Sequence, residues 1–140
     1  MWSTLGGLQL LAGDPARAMQ AFEQSIRIQP TGAVLSNYGA LKMKAGEYAQ
    51  AATLFSRALE LEPGDFLIHG HLGDALQAQP ETSAQAAGHY RQAARMVQDY
   101  VDINPDDARA LAAWGWYLAN LGEPARARAL VERSEARAGV

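Results

Sequence analysis

The sequence contains no cysteine, which excludes disulfide bonds and thiolate metal ligands. This absence fits a reducing compartment, and we expect a cytoplasmic protein. No run of about 18 apolar residues is present, as a membrane-spanning helix would need. Residues 1–4 also lack the basic region that begins a secretory signal. We therefore expect neither a membrane span nor secretion.

Charged residues are scarce as well, at 19% of the chain, and the net charge is −3. Binding of nucleic acid needs a clustered basic surface, which this balance does not favour. The C-terminal arginines alternate with glutamates, as on a solvated helix face: Arg126, Arg128, Arg133 and Arg137 among Glu123, Glu132 and Glu135. We expect no nucleic-acid partner, and the length of 140 residues predicts one domain, 1–140.

The chain does contain an internal repeat with a period of 33 residues. A turn glycine is followed at fixed spacing by alanine, phenylalanine and proline, first as Gly13, Ala18, Phe22 and Pro30, then as Gly46, Ala51, Phe55 and Pro63. A period in the thirties with helical spacing inside it is typical of a helix-turn-helix solenoid, in which single repeats must stack to bury their apolar faces.

Each turn is preceded by a bulky residue, a leucine or aromatic residue, and a glycine, as in Leu35, Tyr38 and Gly39, and again in Leu111, Trp114 and Gly115. This pattern resembles the tetratricopeptide repeat, a pair of antiparallel helices called A and B. The resemblance implies an all-α, right-handed superhelical solenoid of about four helix pairs. The expected repeats are 1–31, 32–64, 65–105 and 106–140.

Within these repeats we predict eight helices, near residues 1–12, 15–28, 32–45, 48–61, 65–79, 83–103, 107–121 and 124–138. Helices A and B of one repeat should cross at a glycine, which permits close packing, and we expect Gly39 to meet Ala51 there. The loop after the third helix A should end with Thr82 or Ser83 capping the next helix.

The third repeat is longer than the others. Its closing proline, Pro105, comes twelve residues after Ala93, where five are usual, so helix B is predicted to run two extra turns. The extra segment presents one apolar face, made by Met96, Val97, Tyr100 and Val101. We expect this face to pack on the fourth repeat or on something outside the chain.

The sequence shows no pattern that indicates catalysis. It lacks a nucleophile with a base, a positioned pair of carboxylates and a phosphate-binding loop. His69 and His71 are two residues apart on a predicted helix and point in different directions, so they are poorly placed to share a metal. We predict that the chain is not an enzyme and holds no metal or cofactor.

The resemblance implies that helices A line a concave groove, which binds a protein or peptide. The candidate contacts are the polar and aromatic residues at inner positions: Asn37, Lys44, His71, Asp74, Arg109, Trp116 and Asn120. Trp114 is expected to be buried, whereas Trp116, two residues later, is expected to face the groove.

One known use of the fold is a clamp for the C-terminal carboxylate of a chaperone. Asn37 matches the asparagine of its second helix. Ser3 and Gly7 stand where the clamp needs lysine and asparagine, and Leu67 and His71 stand where it needs lysine and arginine. A chaperone clamp is therefore not predicted.

The sequence thus predicts a non-catalytic protein–protein interaction module. The alternative is a structural module that oligomerises through uncapped solenoid ends. The long helix followed by residues 102–107 (Asp-Ile-Asn-Pro-Asp-Asp) also resembles C-terminal repeat regions of bacterial multi-domain signalling proteins, in which the repeats follow a kinase or a winged-helix regulator. This resemblance implies a fragment of a longer bacterial signalling or regulatory protein.

Overall fold

The computed structural model describes residues 13–139, and all regular secondary structure in this range is helical. The helices are α1 (Pro15–Ile28), α2 (Gly32–Lys44), α3 (Tyr48–Leu61), α4 (Phe66–Gln77), α5 (Ser83–Ile103), α6 (Ala108–Asn120) and α7 (Pro124–Arg137). They agree with the predicted helices within two residues at each end, and the all-α helical-repeat class is confirmed. The helix predicted at residues 1–12 lies outside the described range.

The chain divides into two compact units at Pro63. The first unit contains α1, α2 and α3, and the second contains α4 to α7. The single domain 1–140 stays a prediction.

In the first unit, the turn sequences determine where the helices begin. Asp14 caps α1 by accepting a hydrogen bond from the Arg17 amide at 3.1 Å. Thr31 caps α2 by accepting one from the Val34 amide, also at 3.1 Å. These contacts satisfy backbone donors that have no partner inside a helix.

The crossing of α2 and α3 depends on Gly39. A Cβ atom added there would lie 2.6 Å from a carbon of the Phe55 ring, closer than real side chains approach. The three atoms nearest to it all belong to Phe55, and the expected contact between Gly39 and Ala51 stays a prediction. The aromatic ring, four residues further along α3, occupies the space at the crossing.

The second unit repeats this arrangement with different side chains. Gly73 of α4 faces the Tyr90 ring of α5, 3.0 Å from an added Cβ atom. Gly115 of α6 faces Val131 of α7 at the same distance. Successive helices pack on one another, and α4 also contacts α6 directly.

The predicted elongation of α5 is confirmed, since it spans 21 residues where α1, α3 and α7 span 14. Val97 and Val101 are buried in the second unit, whereas Tyr100 is partly exposed. The Tyr100 ring lies 5.4 Å from that of Phe66, and its hydroxyl donates to Asp107 at 2.6 Å. The extension therefore packs against the beginnings of α4 and α6.

The start of α5 differs from the prediction. Thr82 occupies the N-cap position, but its hydroxyl donates to the Leu76 carbonyl at 2.7 Å. The Ser83 hydroxyl donates to the Pro80 carbonyl at 3.3 Å. Both hydroxyls hold the loop that follows α4, so neither caps the helix that follows.

Candidate functional site

Asp74 and Trp116 occupy the same position in consecutive repeats, because each follows the crossing glycine, Gly73 or Gly115, by one residue. This shared register brings the two side chains together on neighbouring A helices. The Trp116 Nε1 group donates a hydrogen bond to Asp74 Oδ1 at 2.8 Å. Trp116 nevertheless remains 53% exposed.

The same carboxylate oxygen also accepts a hydrogen bond from the Tyr90 hydroxyl, which reaches it from α5. Tyr90 is fully buried, and its ring fills the crossing below Asp74. Burial, then the hydrogen bond and negative charge of Asp74, raise the pKa of Tyr90. Tyr90 therefore stays a neutral donor, and Asp74 links the unit's interior to its surface.

His71 lies one turn before Asp74 on the same helix. Its side chain reaches the surface, yet enough protein surrounds the imidazole that desolvation lowers its pKa. The charges of Asp74 and Asp65 oppose this shift but do not reverse it. The neutral imidazole is therefore favoured, and the negative charges near it belong to Asp74 and Asp65.

Two amide side chains connect the ends of α4 and α6. Gln77 Nε2 donates to Asn120 Oδ1 at 2.9 Å, and Asn120 Nδ2 donates to the Trp116 carbonyl at 2.9 Å. Both helices end at these amides. The result is a continuous polar surface with one aromatic ring, which we call the α4/α6 face: His71, Asp74, Gln77, Trp116 and Asn120.

Four of the predicted contact residues thus lie on one face of the second unit, and three of them are joined by hydrogen bonds. Arg109 is separate. It lies at the beginning of α6, where it lines a cleft of about 220 Å³ together with Phe66, Leu67, Tyr100, Asp107 and Ala110. Arg109 therefore lies in the first turn of α6, about two turns before Trp116 on the same helix.

The other two predicted residues, Asn37 and Lys44, are exposed on α2 in the first unit. Their neighbour Lys42 is buried, and its role was not predicted from the sequence. Its ammonium group lies 2.7 Å from a Glu47 carboxylate oxygen and 5.3 Å from the centre of the Tyr38 ring. The spacing of Tyr38 and Lys42, four residues apart on one helix, could have indicated this contact.

Tyr38 has a further partner in α1, because its hydroxyl donates to Glu23 at 2.7 Å. Burial, with the hydrogen bond and charge of Glu23, raises the pKa of Tyr38. Glu23, Lys42 and Glu47 therefore each have a hydrogen-bond partner within the first unit.

The histidines are arranged differently from a metal centre. The rings of His69 and His89 lie 5.8 Å apart between centroids, which the sequence analysis did not predict. Between residues 13 and 139, no group of three or more His, Cys, Asp or Glu side chains is placed to hold a metal ion. Within the same range, no helix is both long and apolar enough to cross a membrane.

Family models of the tetratricopeptide repeat match residues 1–31, 32–65 and 82–139. The chain belongs to the tetratricopeptide repeat family, whose repeats are generally non-catalytic modules of protein interaction. No curated protein sequence matches the chain significantly.

Solved structures show the same fold at low sequence identity. The thermophilic repeat protein TTC0263 of Thermus thermophilus is 23% identical, with a TM-score of 0.72 over 96% of this chain and 72% of that one. MamA of Desulfovibrio magneticus RS-1 is 20% identical, with a TM-score of 0.64 over 97% and 73%. YrrB, described as having an unusual peptide-binding site, is 17% identical, with a TM-score of 0.62 over 97% and 66%.

Proposed function

We propose that this chain binds a peptide or an extended segment of a partner protein, and that the partner docks on the α4/α6 face. The main support for this proposal is that Trp116 is about half exposed while its indole donates a hydrogen bond to Asp74. Tryptophan is enriched among the residues that dominate binding energy at protein interfaces. A ring already held in place loses less conformational entropy on binding than a mobile one.

The remaining candidate contacts have weaker support. Arg109, Asn37 and Lys44 are exposed, and we propose them as secondary contacts. Exposed charges contribute little to affinity, because solvent screens them. We also propose a role in the cytoplasm of a bacterium within a signalling or regulatory protein, on the basis of the resemblance of residues 102–107.

Affinity capture followed by calorimetry tests the binding face. The immobilised chain would first capture partners from a lysate of the source organism, and mass spectrometry would identify them. We expect Trp116→Ala to weaken binding of the purified partner by at least about 2 kcal/mol, or about 30-fold. Lys44→Ala should cost less than about 1 kcal/mol.

The matched control is Arg128→Ala, which removes an exposed side chain of α7. It should leave affinity unchanged, and circular dichroism should show that all variants remain folded. The proposal fails if Arg128→Ala, or Tyr100→Ala in the extension of α5, abolishes binding while Trp116→Ala does not.

Self-association is a second candidate function, because large aliphatic side chains are exposed at one repeated position. Ile28, Leu61 and Ile103 each end a B helix and are 62%, 49% and 81% exposed. Light scattering of the pure chain at two concentrations distinguishes this proposal from a monomeric binding module. A mass that rises with concentration and falls in Ile103→Ser supports self-association, and a constant monomer mass rejects it.

A further inference from the structure

The net negative charge of the chain belongs to the second unit. Residues 64–140 carry ten acidic and seven basic side chains, whereas residues 1–63 carry five of each. None of the basic residues of the second unit is among the five residues that define the α4/α6 face. No lysine or arginine occurs between residues 64 and 90, and Arg109 lies seven positions before Trp116 on α6, roughly 10 Å along the helix. Asp74 is therefore the one charged residue of this face.

The helix ends at this face add to its negative potential. Carbonyl groups at a helix C-terminus carry partial negative charge, which cations stabilise. The last turns of α4 and α6 contain no basic residue. In the first unit, by contrast, Lys42 and Lys44 occupy the last turn of α2.

The hydrogen bond of Trp116 determines how its ring is presented. The Nε1–H bond lies in the plane of the indole, so Asp74 stands at the edge of the ring and not over its face. Trp116 as a residue is 53% exposed, which leaves room for a partner group beside its ring. The face of tryptophan attracts cations more strongly than that of any other side chain, within about 6 Å of the ring centre.

We propose that the partner inserts a basic side chain, arginine or lysine, over the face of the Trp116 ring and beside the Asp74 carboxylate. This inference rests on the proposed function of the α4/α6 face. Arginine suits the site better, because its planar guanidinium stacks on an aromatic ring and can donate to a carboxylate at the same time. An acidic segment would be repelled by Asp74, and an aliphatic segment would gain no attraction from its negative charge.

A set of matched peptides tests this inference on the full chain. The probes are acetylated and amidated Gly-Ser-Xaa-Ser-Gly peptides in which Xaa is arginine, citrulline, leucine or glutamate. Citrulline has nearly the shape of arginine but no charge. The readout is the indole N–H resonance of Trp116 in the ¹⁵N-labelled protein, which is assigned with the Trp116→Phe variant. We expect the arginine peptide to shift this resonance at millimolar concentration. Its affinity should be about fivefold higher than that of the citrulline peptide.

Two variants separate a local charge from the overall charge. Asp74→Asn keeps an acceptor for Trp116 and Tyr90 but removes the negative charge, so the preference for arginine should fall to less than about twofold. Glu132→Gln removes the same charge from the exposed surface of α7 and should leave the preference intact.

Three results would overturn the inference. Equal binding of arginine and citrulline at Trp116, or tighter binding of glutamate, rejects the basic side chain while the face itself stands as a binding site. A preference lost in Glu132→Gln but kept in Asp74→Asn assigns the effect to another charge. If no peptide shifts the Trp116 resonance, the inference fails, and the proposed function is decided separately by whether the captured partner depends on Trp116.

Discussion

The second and third repeats have the same helix crossing, yet their surfaces differ in chemistry. In the second repeat, Gly39 packs against the buried ring of Phe55. The next residue on the A helix is Ala40, which has no polar group. Because neither Phe55 nor Ala40 has a polar side-chain group, these two side chains cannot form a hydrogen bond between the interior and the surface. This crossing therefore serves packing alone.

In the third repeat, Gly73 packs against Tyr90, and the next residue is Asp74. Compared with the second repeat, Tyr90 adds a hydroxyl and Asp74 adds a carboxylate. The hydroxyl donates a hydrogen bond to the carboxylate, which also accepts one from Trp116 of the following repeat. At the same two positions, tyrosine and aspartate thus join the packed interior to a surface residue, Trp116, which phenylalanine and alanine do not do in the second repeat.

Disrupting the helix crossing that both repeats share should have the largest effect on stability. We expect Gly39→Leu and Gly73→Leu each to lower the free energy of unfolding by about 1 to 3 kcal/mol, because a packed ring must move. Ala40→Leu, one residue away on the exposed side of α2, should change it by less than about 0.5 kcal/mol. Urea denaturation followed by circular dichroism measures all three. If either glycine variant unfolds at the same urea concentration as the unmodified chain, the crossing is misassigned.

Introducing only half of the polar pair into the second repeat should also be costly. Phe55→Tyr places a hydroxyl at a position that is 1% exposed, next to Ala40, and we expect a loss of about 1 to 3 kcal/mol. Adding Ala40→Asp should restore part of that loss, because the hydroxyl then gains an acceptor. If the double variant is less stable than the sum of the single variants predicts, the two repeats are not equivalent at this position.

Removing the pair from the third repeat gives the reverse experiment. Hydrogen bonds to charged groups contribute about 1.5 to 3 kcal/mol. A double-mutant cycle of Tyr90→Phe and Asp74→Ala should therefore show a coupling free energy of about 1 to 2 kcal/mol. The double variant should lose less free energy of unfolding than the sum of the two single losses. Additive losses would mean that the bond contributes nothing to stability.

The stability of the chain should also depend on pH through its three histidines, all of which are in the second unit. Desolvation lowers the pKa of His71 and of His89 below the usual 6.5. Between the lowered values and 6.5, the unfolded chain binds more protons than the folded one, so stability falls as the pH drops below about 6.5. Asp74 and Asp65 moderate this effect at His71.

Thermal unfolding at pH 7.5 and pH 5.5 checks this expectation. The melting temperature should be lower at pH 5.5, and the double variant His71→Gln/His89→Gln should reduce the difference. Aspartates and glutamates titrate mainly below this range and should contribute less. An unchanged pH dependence in the double variant would assign the effect to other groups.

The sequence was sufficient for the repeats, the helix bounds and the burial of Trp114 beside an exposed Trp116, because helical spacing determines which residues share a face. It placed Asp74, Trp116 and Asn120 on inner positions by the same argument. It did not predict the hydrogen bonds among them, which depend on side-chain rotamers and on the distance between two helices. The loop hydroxyl of Thr82 was misjudged for a similar reason, since its acceptor, the Leu76 carbonyl, lies in the preceding helix.

Chemical-shift mapping of the ¹⁵N-labelled chain with its captured partner tests the central claim most directly. Binding at the α4/α6 face should produce the largest shifts at the indole N–H of Trp116 and at the side-chain amides of Gln77 and Asn120. Small or absent shifts at these three groups, with large ones on α7 or along the extension of α5, would contradict the assignment of partner binding to this face.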